Sequence, residues 1–453
     1  MGLGFGTDGV RGPADEFTEQ FVIALGEAAA RTLGSHFILG RDTRESGASL
    51  ERALATGLAR GGATVSVLGV APTPAVAWVA ARHDACGAVI SASHNAWSDN
   101  GIKFFGVGGR KLTDELEREL SDLLGSILRQ ETAVDVGTPP ATVTPVDTDG
   151  PESRMIDPTA ELRDWSAALR SSVSPAVAGL RVVIDCANGA ASVLAPEIIA
   201  ALGVQLEVLH ATPDGRNIND SCGSTHPQDL QRRVLDTGAQ VGLAFDGDAD
   251  RLLAVDETGG IVDGDHLLAL FADDLRSRGA LRDDLVVVTV MTNLGFRLAM
   301  AERGIVVIET PVGDRYVLEA LTRTGGSLGG EQSGHIVFAD LATTGDGLLS
   351  GLQLLDLVAR RGRPLSELAA ASMTRFPQVL RNVRVAERRA DIAELLAQEV
   401  EREQAVLGTH GRILLRPSGT EPVIRVMVEA ESVALAEQVV SRLVTAVEQV
   451  CSA

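Results

Sequence analysis

The sequence predicts an α/β protein: three tandem α/β domains with mixed sheets, followed by a smaller C-terminal α+β domain, arranged around a central cleft. Three observations carry this reading. A strand–turn–helix–strand pattern recurs three times, and 453 residues are too many for one core. After Arg361-Gly362-Arg363-Pro364 the pattern changes to strands around Val383, Ile413 and Val426, then a helix from Ala434 to Val447.

The first unit opens with the strand Phe37–Gly40, which runs through the polar turn Arg41-Asp42-Thr43-Arg44-Glu45-Ser46 into a helix with Leu50, Leu54 and Leu58 on one face. Gly61-Gly62 stops that helix, and Thr64–Val67 is the returning strand. In the second, Val182–Asp185 leads through Ala187-Asn188-Gly189 to a helix with Leu194, Ile198 and Leu202, then Val204–Val208. In the third, Leu285–Val290 leads through Thr292-Asn293 to a helix with Leu294 and Leu298, then Ile305–Ile308. Such crossovers are right-handed and place helices over a parallel or mixed sheet. Glu131 to Asp157, rich in Pro, Thr, Asp and Gly, is the linker after the first domain. The expected domains are 1–150, 151–255, 256–370 and 371–453.

Net charge is -21, which argues against nucleic acid or an anionic membrane as partner. Bound anions must therefore be held by local basic groups. No apolar run is long enough to cross a bilayer, and Met1-Gly2-Leu3-Gly4-Phe5-Gly6 lacks the features of a signal peptide, so a cytoplasmic location is expected. Cys86, Cys186, Cys222 and Cys451 have no metal or redox spacing and read as reduced structural thiols. The pattern does not set an oligomeric state, a homodimer included. There is no Gly-Lys-Ser/Thr phosphate loop, and Gly4-x-Gly6-x-x-Gly9 leaves no room for the strand that a dinucleotide fingerprint requires.

Ligand loops of α/β sheets lie beyond the carboxyl ends of strands, and four polar loops fall at such places. Val89-Ile90-Ser91-Ala92-Ser93-His94-Asn95 presents Ser93 as a nucleophile among small neighbours; His94 and Lys103 are placed to ease negative charge on its oxygen. The only lysines are Lys103 and Lys111. Asp246-Gly247-Asp248-Ala249-Asp250-Arg251 follows the strand Val241–Phe245, and its alternate carboxylates can converge on one hard cation, with Mg²⁺ the leading choice. An EF-hand is excluded because Arg251 stands where the turn glycine is required and the flanks are strands. Gly329-Gly330-Glu331-Gln332-Ser333-Gly334-His335 offers Glu331 and Ser333 to vicinal hydroxyls and His335 as an acid or base, with a core histidine as the rival reading. Arg416-Pro417-Ser418-Gly419-Thr420-Glu421-Pro422-Val423-Ile424-Arg425 brackets hydroxyls and a glycine with two arginines, the chemistry of a phosphate clamp.

Together with Gly6-Thr7-Asp8-Gly9-Val10-Arg11-Gly12, these loops resemble the α-D-phosphohexomutase superfamily over essentially the whole chain. The N-terminal motif, Gln332 and Val312-Gly313-Asp314-Arg315-Tyr316 resemble its glucosamine branch. The resemblance implies an intramolecular phosphotransferase, active as phospho-Ser93, that interconverts glucosamine 6-phosphate and glucosamine 1-phosphate through a 1,6-bisphosphate and feeds UDP-N-acetylglucosamine synthesis. Related mutases of glucose or mannose phosphates, a phosphatase and a non-catalytic sugar-phosphate sensor are the alternatives.

The resemblance further implies that Ser93, Asp246, Asp248 and Asp250 hold Mg²⁺. Arg11 and Arg251 offset charge, and Lys103 and His335 act as acid and base. Glu331 and Ser333 bind the sugar; Arg416, Ser418, Gly419, Thr420 and Arg425 bind the distal phosphate. A glucosamine 1,6-bisphosphate or related sugar bisphosphate serves as primer. One departure stands out: the superfamily's serine loop usually continues with Pro and an aromatic residue, whereas here Ala96-Trp97 follows Asn95. Without that ring φ is free, so a less rigid loop is expected.

Overall fold

A computed structural model of the chain describes residues 3, 5–6, 9–134, 156–387, 389–418 and 422–452. It divides into two compact units, Met1–Val290 with Ile308–Ala369, and Met291–Val307 with Ala370–Ala453.

The larger unit contains three mixed sheets. In the first, strand His36–Arg41 lies between Thr64–Val70 and Cys86–Ile90, parallel to both, and Asp99–Gly106 runs antiparallel beside Cys86–Ile90. Gly9–Pro13 extends the sheet, placing Arg11 opposite Gly101. The second sheet has Arg181–Asp185 parallel to both Gln205–Leu209 and Val241–Phe245, with Leu252–Asp256 antiparallel to the latter. In the third, Leu285–Thr289 is parallel to Leu328–Gly330, which pairs antiparallel with Ile336–Phe338. Strands buried on both faces are continuous apolar runs: every residue of Cys86–Ile90, Val241–Phe245 and Leu285–Thr289 is buried. Ser93, Asp246 and Glu331 thus follow the carboxyl ends of three central strands, the common position of ligand loops.

In the smaller unit, Val423–Glu429 is flanked antiparallel by Gln378–Arg384 and Arg412–Pro417. Helix Val433–Ser452 covers this sheet, packing Val439, Val440, Leu443 and Val447 against Val379, Ile424, Val426 and Val428. The helix with Leu294 and Leu298, Leu294–Glu302, groups with this unit. The reason is Glu429, which is fully buried and accepts from Leu294 N at 3.0 Å, Asn293 Nδ2 at 3.2 Å and Arg412 Nε at 2.9 Å. A carboxylate at a helix N-terminus satisfies orphan N–H groups and meets the positive end of the dipole.

Most of the linker expected at Glu131 to Asp157 lies outside the described residues; its first residues still belong to helix Asp114–Val134. All four cysteines are free, and Cys86, Cys186 and Cys222 are buried. Among the described residues no helix is long and apolar enough to cross a membrane.

Candidate active site

The tight turn after Phe245 turns three carboxylates toward one point: Asp246, Asp248 and Asp250 are all buried, with ligand oxygens within 4.8 Å of one another. Ala249 takes φ +58°, and its N–H donates to Asp246 O at 3.1 Å, closing the turn. Ser93 meets this cluster directly, its hydroxyl donating to Asp246 Oδ2 at 2.5 Å. Lys103 Nζ donates to Asp248 Oδ2 at 2.6 Å and Asp250 Oδ2 at 3.2 Å. Even so, Asp248 Oδ1 and Asp250 Oδ1 are buried and accept no hydrogen bond among the described residues. Hard oxygen donors with orphaned lone pairs suit a small divalent cation. Burial and the neighbouring Asp250 and Asp248 push Asp246 up to about 7. Burial also acts on Asp250, yet Lys103, His335 and Arg251 outweigh it and hold that carboxyl well below the usual range.

His94 lies beside the nucleophile. Its Nδ1 lies 3.3 Å from Ser93 Oγ, but burial, Arg251 and Arg11 push its pKa down to about 4, so the ring is neutral near pH 7. Arg251 Nη1 donates to that same Nδ1 at 3.2 Å, leaving the ring proton on Nε2. Arg251 thus brings positive charge to the neighbour of Ser93.

The close approach of the two loops depends on Gly247. A Cβ there would sit 2.4 Å from Ser93 O, so any side chain must push the loops apart. Gly247→Ala is expected to cut turnover about 100-fold, because misplacement on the order of 1 Å has that effect on transfer chemistry. Steady-state kinetics beside a thermal melt checks this; unchanged kcat would contradict it.

His335 is buried between two acids, with Nδ1 3.7 Å from Asp250 Oδ2 and Nε2 3.7 Å from Asp314 Oδ2. Burial opposes its protonation, while Asp250, Asp314 and Glu331 raise its pKa. Gly345 N donates to Nε2 at 3.1 Å, which in the neutral ring leaves the proton on Nδ1, facing Asp250. This is a histidine set in an acidic site and not a core filler. Glu331 Oε1 accepts from Gly313 N at 3.1 Å, and burial raises its pKa. Lys111 Nζ lies 2.8 Å from Asp314 Oδ2, so the second lysine also serves this region. Ser333 is exposed on the same turn.

In the smaller unit Arg416 and Arg425 stand directly opposite each other on antiparallel strands. Like charges in that register repel. Burial and Arg425 together lower the pKa of Arg416. A bound dianion would relieve this repulsion. Ser418 is buried beside them, its N–H on Val423 O at 2.8 Å. Gly419 and Thr420 lie outside the described residues.

Four family profiles match in chain order: phosphoglucomutase/phosphomannomutase alpha/beta/alpha domain I at residues 2–131, domain II at 164–260, domain III at 263–376 and the C-terminal domain at 380–446. The chain belongs to the phosphoglucomutase/phosphomannomutase family. Among its relatives, the phosphoglucosamine mutase of Carboxydothermus hydrogenoformans is 47% identical, covering 99% of this chain and 100% of that one. That of Frankia alni is 50% identical, covering 98% and 97%. In fold, the chain is similar to a phosphoglucomutase/phosphomannomutase family protein from Burkholderia thailandensis (TM-score 0.78, 24% identity, covering 98% of this chain and 97% of that one). It is also similar to the N-acetylphosphoglucosamine mutase of Aspergillus fumigatus solved with GlcNAc-6P and magnesium (TM-score 0.71, 20% identity, 100% and 96%).

Within this family member, several groups with little sequence signal stand out in the structure. Thr73 donates to Asp248 Oδ2 at 2.6 Å while its N–H donates to Asp248 O at 2.9 Å. Its only sequence signal was a hydroxyl between prolines after an apolar strand. Asp185 was read simply as a strand end. It accepts from Ala187 N and Gly223 N, each at 2.9 Å, and pairs with His210 Nδ1 at 3.0 Å. Cys222 is close to both, but the Asp185 oxygens are already engaged in these bonds. Interaction with the Asp185 carboxylate raises His210 from its ordinary 6.5, against partial burial. A raised folded pKa gives stability that is full below about 6.5 and lost as pH rises through the folded value. The loss in Tm between pH 6 and pH 8 is therefore expected to be smaller in His210→Gln than in the parent; equal losses would contradict the pairing.

Proposed function

We propose that this chain interconverts glucosamine 6-phosphate and glucosamine 1-phosphate, using phospho-Ser93 and a bound 1,6-bisphosphate, in the cytoplasm. The observation that carries this is Ser93 Oγ held 2.5 Å from a buried carboxylate cluster that still has orphaned oxygens. Relatives at 47% and 50% identity named phosphoglucosamine mutase supply the choice of sugar.

In the forward direction O1 of the sugar attacks phosphorus, the bond from Ser93 Oγ to phosphorus breaks, the O1 proton passes to a nearby base, and the released Ser93 Oγ takes up a proton. After the intermediate turns over, Ser93 Oγ attacks the O6 phosphate and its proton goes to the departing O6. Lys103 and His335 are the groups assigned to these proton transfers. Asp246, Asp248 and Asp250, with phospho-Ser93, would hold Mg²⁺, which when bound offsets charge on the transferring group. Arg251 and Arg11 add positive charge beside it. Glu331 and Ser333 take the sugar hydroxyls. Arg416, Ser418, Gly419, Thr420 and Arg425 hold whichever phosphate is not reacting, which lets one site serve both half-reactions. The divisions 1–150, 151–255, 256–370 and 371–453 remain our assignment of one loop to each domain.

Arg425→Ala is expected to raise KM at least about 10-fold while kcat falls less, since the clamp binds ground and transition states alike. Tm should hold or rise, because the variant relieves the Arg416–Arg425 repulsion. The test of the whole reading is turnover with Mg²⁺ and a trace of sugar bisphosphate on glucosamine, glucose and mannose 6-phosphates. Preference for glucosamine 6-phosphate is expected. Preference for another hexose would move the chain to a related mutase, and phosphate release without isomerisation would make it a phosphatase.

A further inference from the structure

The turn Ser91 to Asp99 owes its shape to one buried cation. Arg44 is 1% exposed and sits on the polar turn after His36–Arg41, the strand beside Cys86–Ile90. All five of its N–H donors are used. Nε donates to Asp42 Oδ2 at 2.9 Å; Nη2 donates to Ser93 O at 3.0 Å and Asn95 O at 2.9 Å; Nη1 donates to Asp99 O at 3.0 Å and to Ala96 O. Four carbonyls of one loop thus converge on one guanidinium.

The same ion pair also holds the nucleophile from its other side. Asp42 Oδ2 accepts from Ser91 Oγ at 2.6 Å, and Ser91 Oγ accepts from Ser93 N at 2.9 Å. Both main-chain polar groups of Ser93 are therefore tied, directly or through one hydroxyl, to Asp42 and Arg44. Ser93 needs this, since its φ of +52° is a left-handed conformation that a non-glycine residue keeps only when its surroundings enforce it. A second brace comes from the neighbouring sheet's loops. Asn219 Nδ2 donates to Ser93 O at 2.9 Å and Asn95 O at 3.0 Å, doubling the grip on the same two carbonyls.

We propose that Arg44 is a positioning residue for phosphoryl transfer: with Asn219 as auxiliary, it fixes the left-handed turn that aims Ser93 Oγ at the Asp246 cluster. These five bonds reach neither the Ser93 hydroxyl nor Asp246, Asp248 or Asp250, so the effect of Arg44 runs through the loop. Lysine cannot replace it, because an ammonium has three donors at a point and the site asks for a planar fork of five.

This inference rests on the reading of Ser93 as the phosphorylated group, and its test separates the two. Ser93 is charged by a hexose 1,6-bisphosphate with Mg²⁺, and phosphorylation is timed by intact mass in the parent, Arg44→Lys, Arg44→Ala and Asn219→Ala. Steady-state kcat and KM are measured alongside. The expected result is a transfer rate and kcat lower by about 100-fold in the Arg44 variants and about 10-fold in Asn219→Ala, with KM for sugar phosphate within about 2-fold of the parent. Guanidinium chloride at millimolar concentration should restore part of the rate in Arg44→Ala and none in Arg44→Lys, a response that a merely structural loss would not give. Parent-like transfer in folded Arg44→Lys, or equal losses in kcat and affinity, would overturn the proposal. If both Arg44 variants fail to fold, Asn219→Ala decides: an unchanged transfer rate there overturns it. Failure of the parent itself to become phosphorylated at Ser93 would overturn the reading of Ser93 and this inference with it, whereas a parent that is charged but does not isomerise would leave the transfer comparison intact.

Discussion

Ser93→Ala is expected to remove turnover, lowering kcat by at least about 10⁴-fold, with little change in the affinity for sugar phosphate. Loss of a nucleophile that passes through a covalent intermediate leaves only the catalysis that binding and charge provide. Retained binding is expected, because the binding roles proposed for Glu331, Arg416 and Arg425 do not involve the serine oxygen. Its removal also ends the 2.5 Å hydrogen bond to Asp246, whose carboxyl is then less well stabilised as an anion. Turnover and binding by calorimetry, measured on the same preparation, check this. A variant with parallel losses in kcat and binding would show that Ser93 holds the ligand instead of carrying the phosphoryl group.

Lys103→Met has the second largest expected effect, and it acts on stability as well as on rate. Lys103 is 1% exposed and donates to two carboxylates. Taking away one partner of a buried pair leaves uncompensated charge, at a cost of about 3–5 kcal/mol. The expected melt in metal-free buffer is therefore several degrees lower than that of the parent. Mg²⁺ should recover much of the difference, since a divalent cation among Asp246, Asp248 and Asp250 replaces the missing ammonium, and it should bind the variant more tightly than the parent. Turnover should stay at least about 100-fold low even when the metal has restored the fold, because the proposed proton carrier is gone. A melt insensitive to Mg²⁺ would contradict the cation site, and near-normal kcat would remove Lys103 from the proton transfers.

The loops that carry chemistry were legible because each follows a short apolar strand and concentrates residue types with few other uses. Asp246-Gly247-Asp248-Ala249-Asp250 announces itself: three buried like charges need a cation whatever the fold. Arg44 was harder to see. It lay in a turn noted only as polar, and nothing in its local sequence says that the carbonyls of residues 93, 95, 96 and 99 converge on it. That convergence follows from strand order, which places His36–Arg41 beside Cys86–Ile90. The Ala96-Trp97 loop, which lacks the proline ring, is tied by these tertiary hydrogen bonds, and they too are invisible in its local sequence. The lowered pKa of His94 was likewise hidden, as it comes from burial and from Arg251 and Arg11, distant in sequence and adjacent in space. The helix Leu294–Glu302 is legible in the sequence, but its tie to Glu429, a single buried carboxylate more than a hundred residues away, is not.

The most direct test of the central claim is to follow the phosphoryl group itself. The enzyme is charged with labelled phosphate, the label is located by peptide mapping, and unlabelled glucosamine 6-phosphate is added with Mg²⁺ for a single turnover. The account predicts label on Ser93 at the start and in the sugar phosphate pool afterwards, with Ser93 carrying unlabelled phosphate taken from O6. Label that stays on Ser93 while glucosamine 1-phosphate forms, or that leaves as inorganic phosphate, would contradict it.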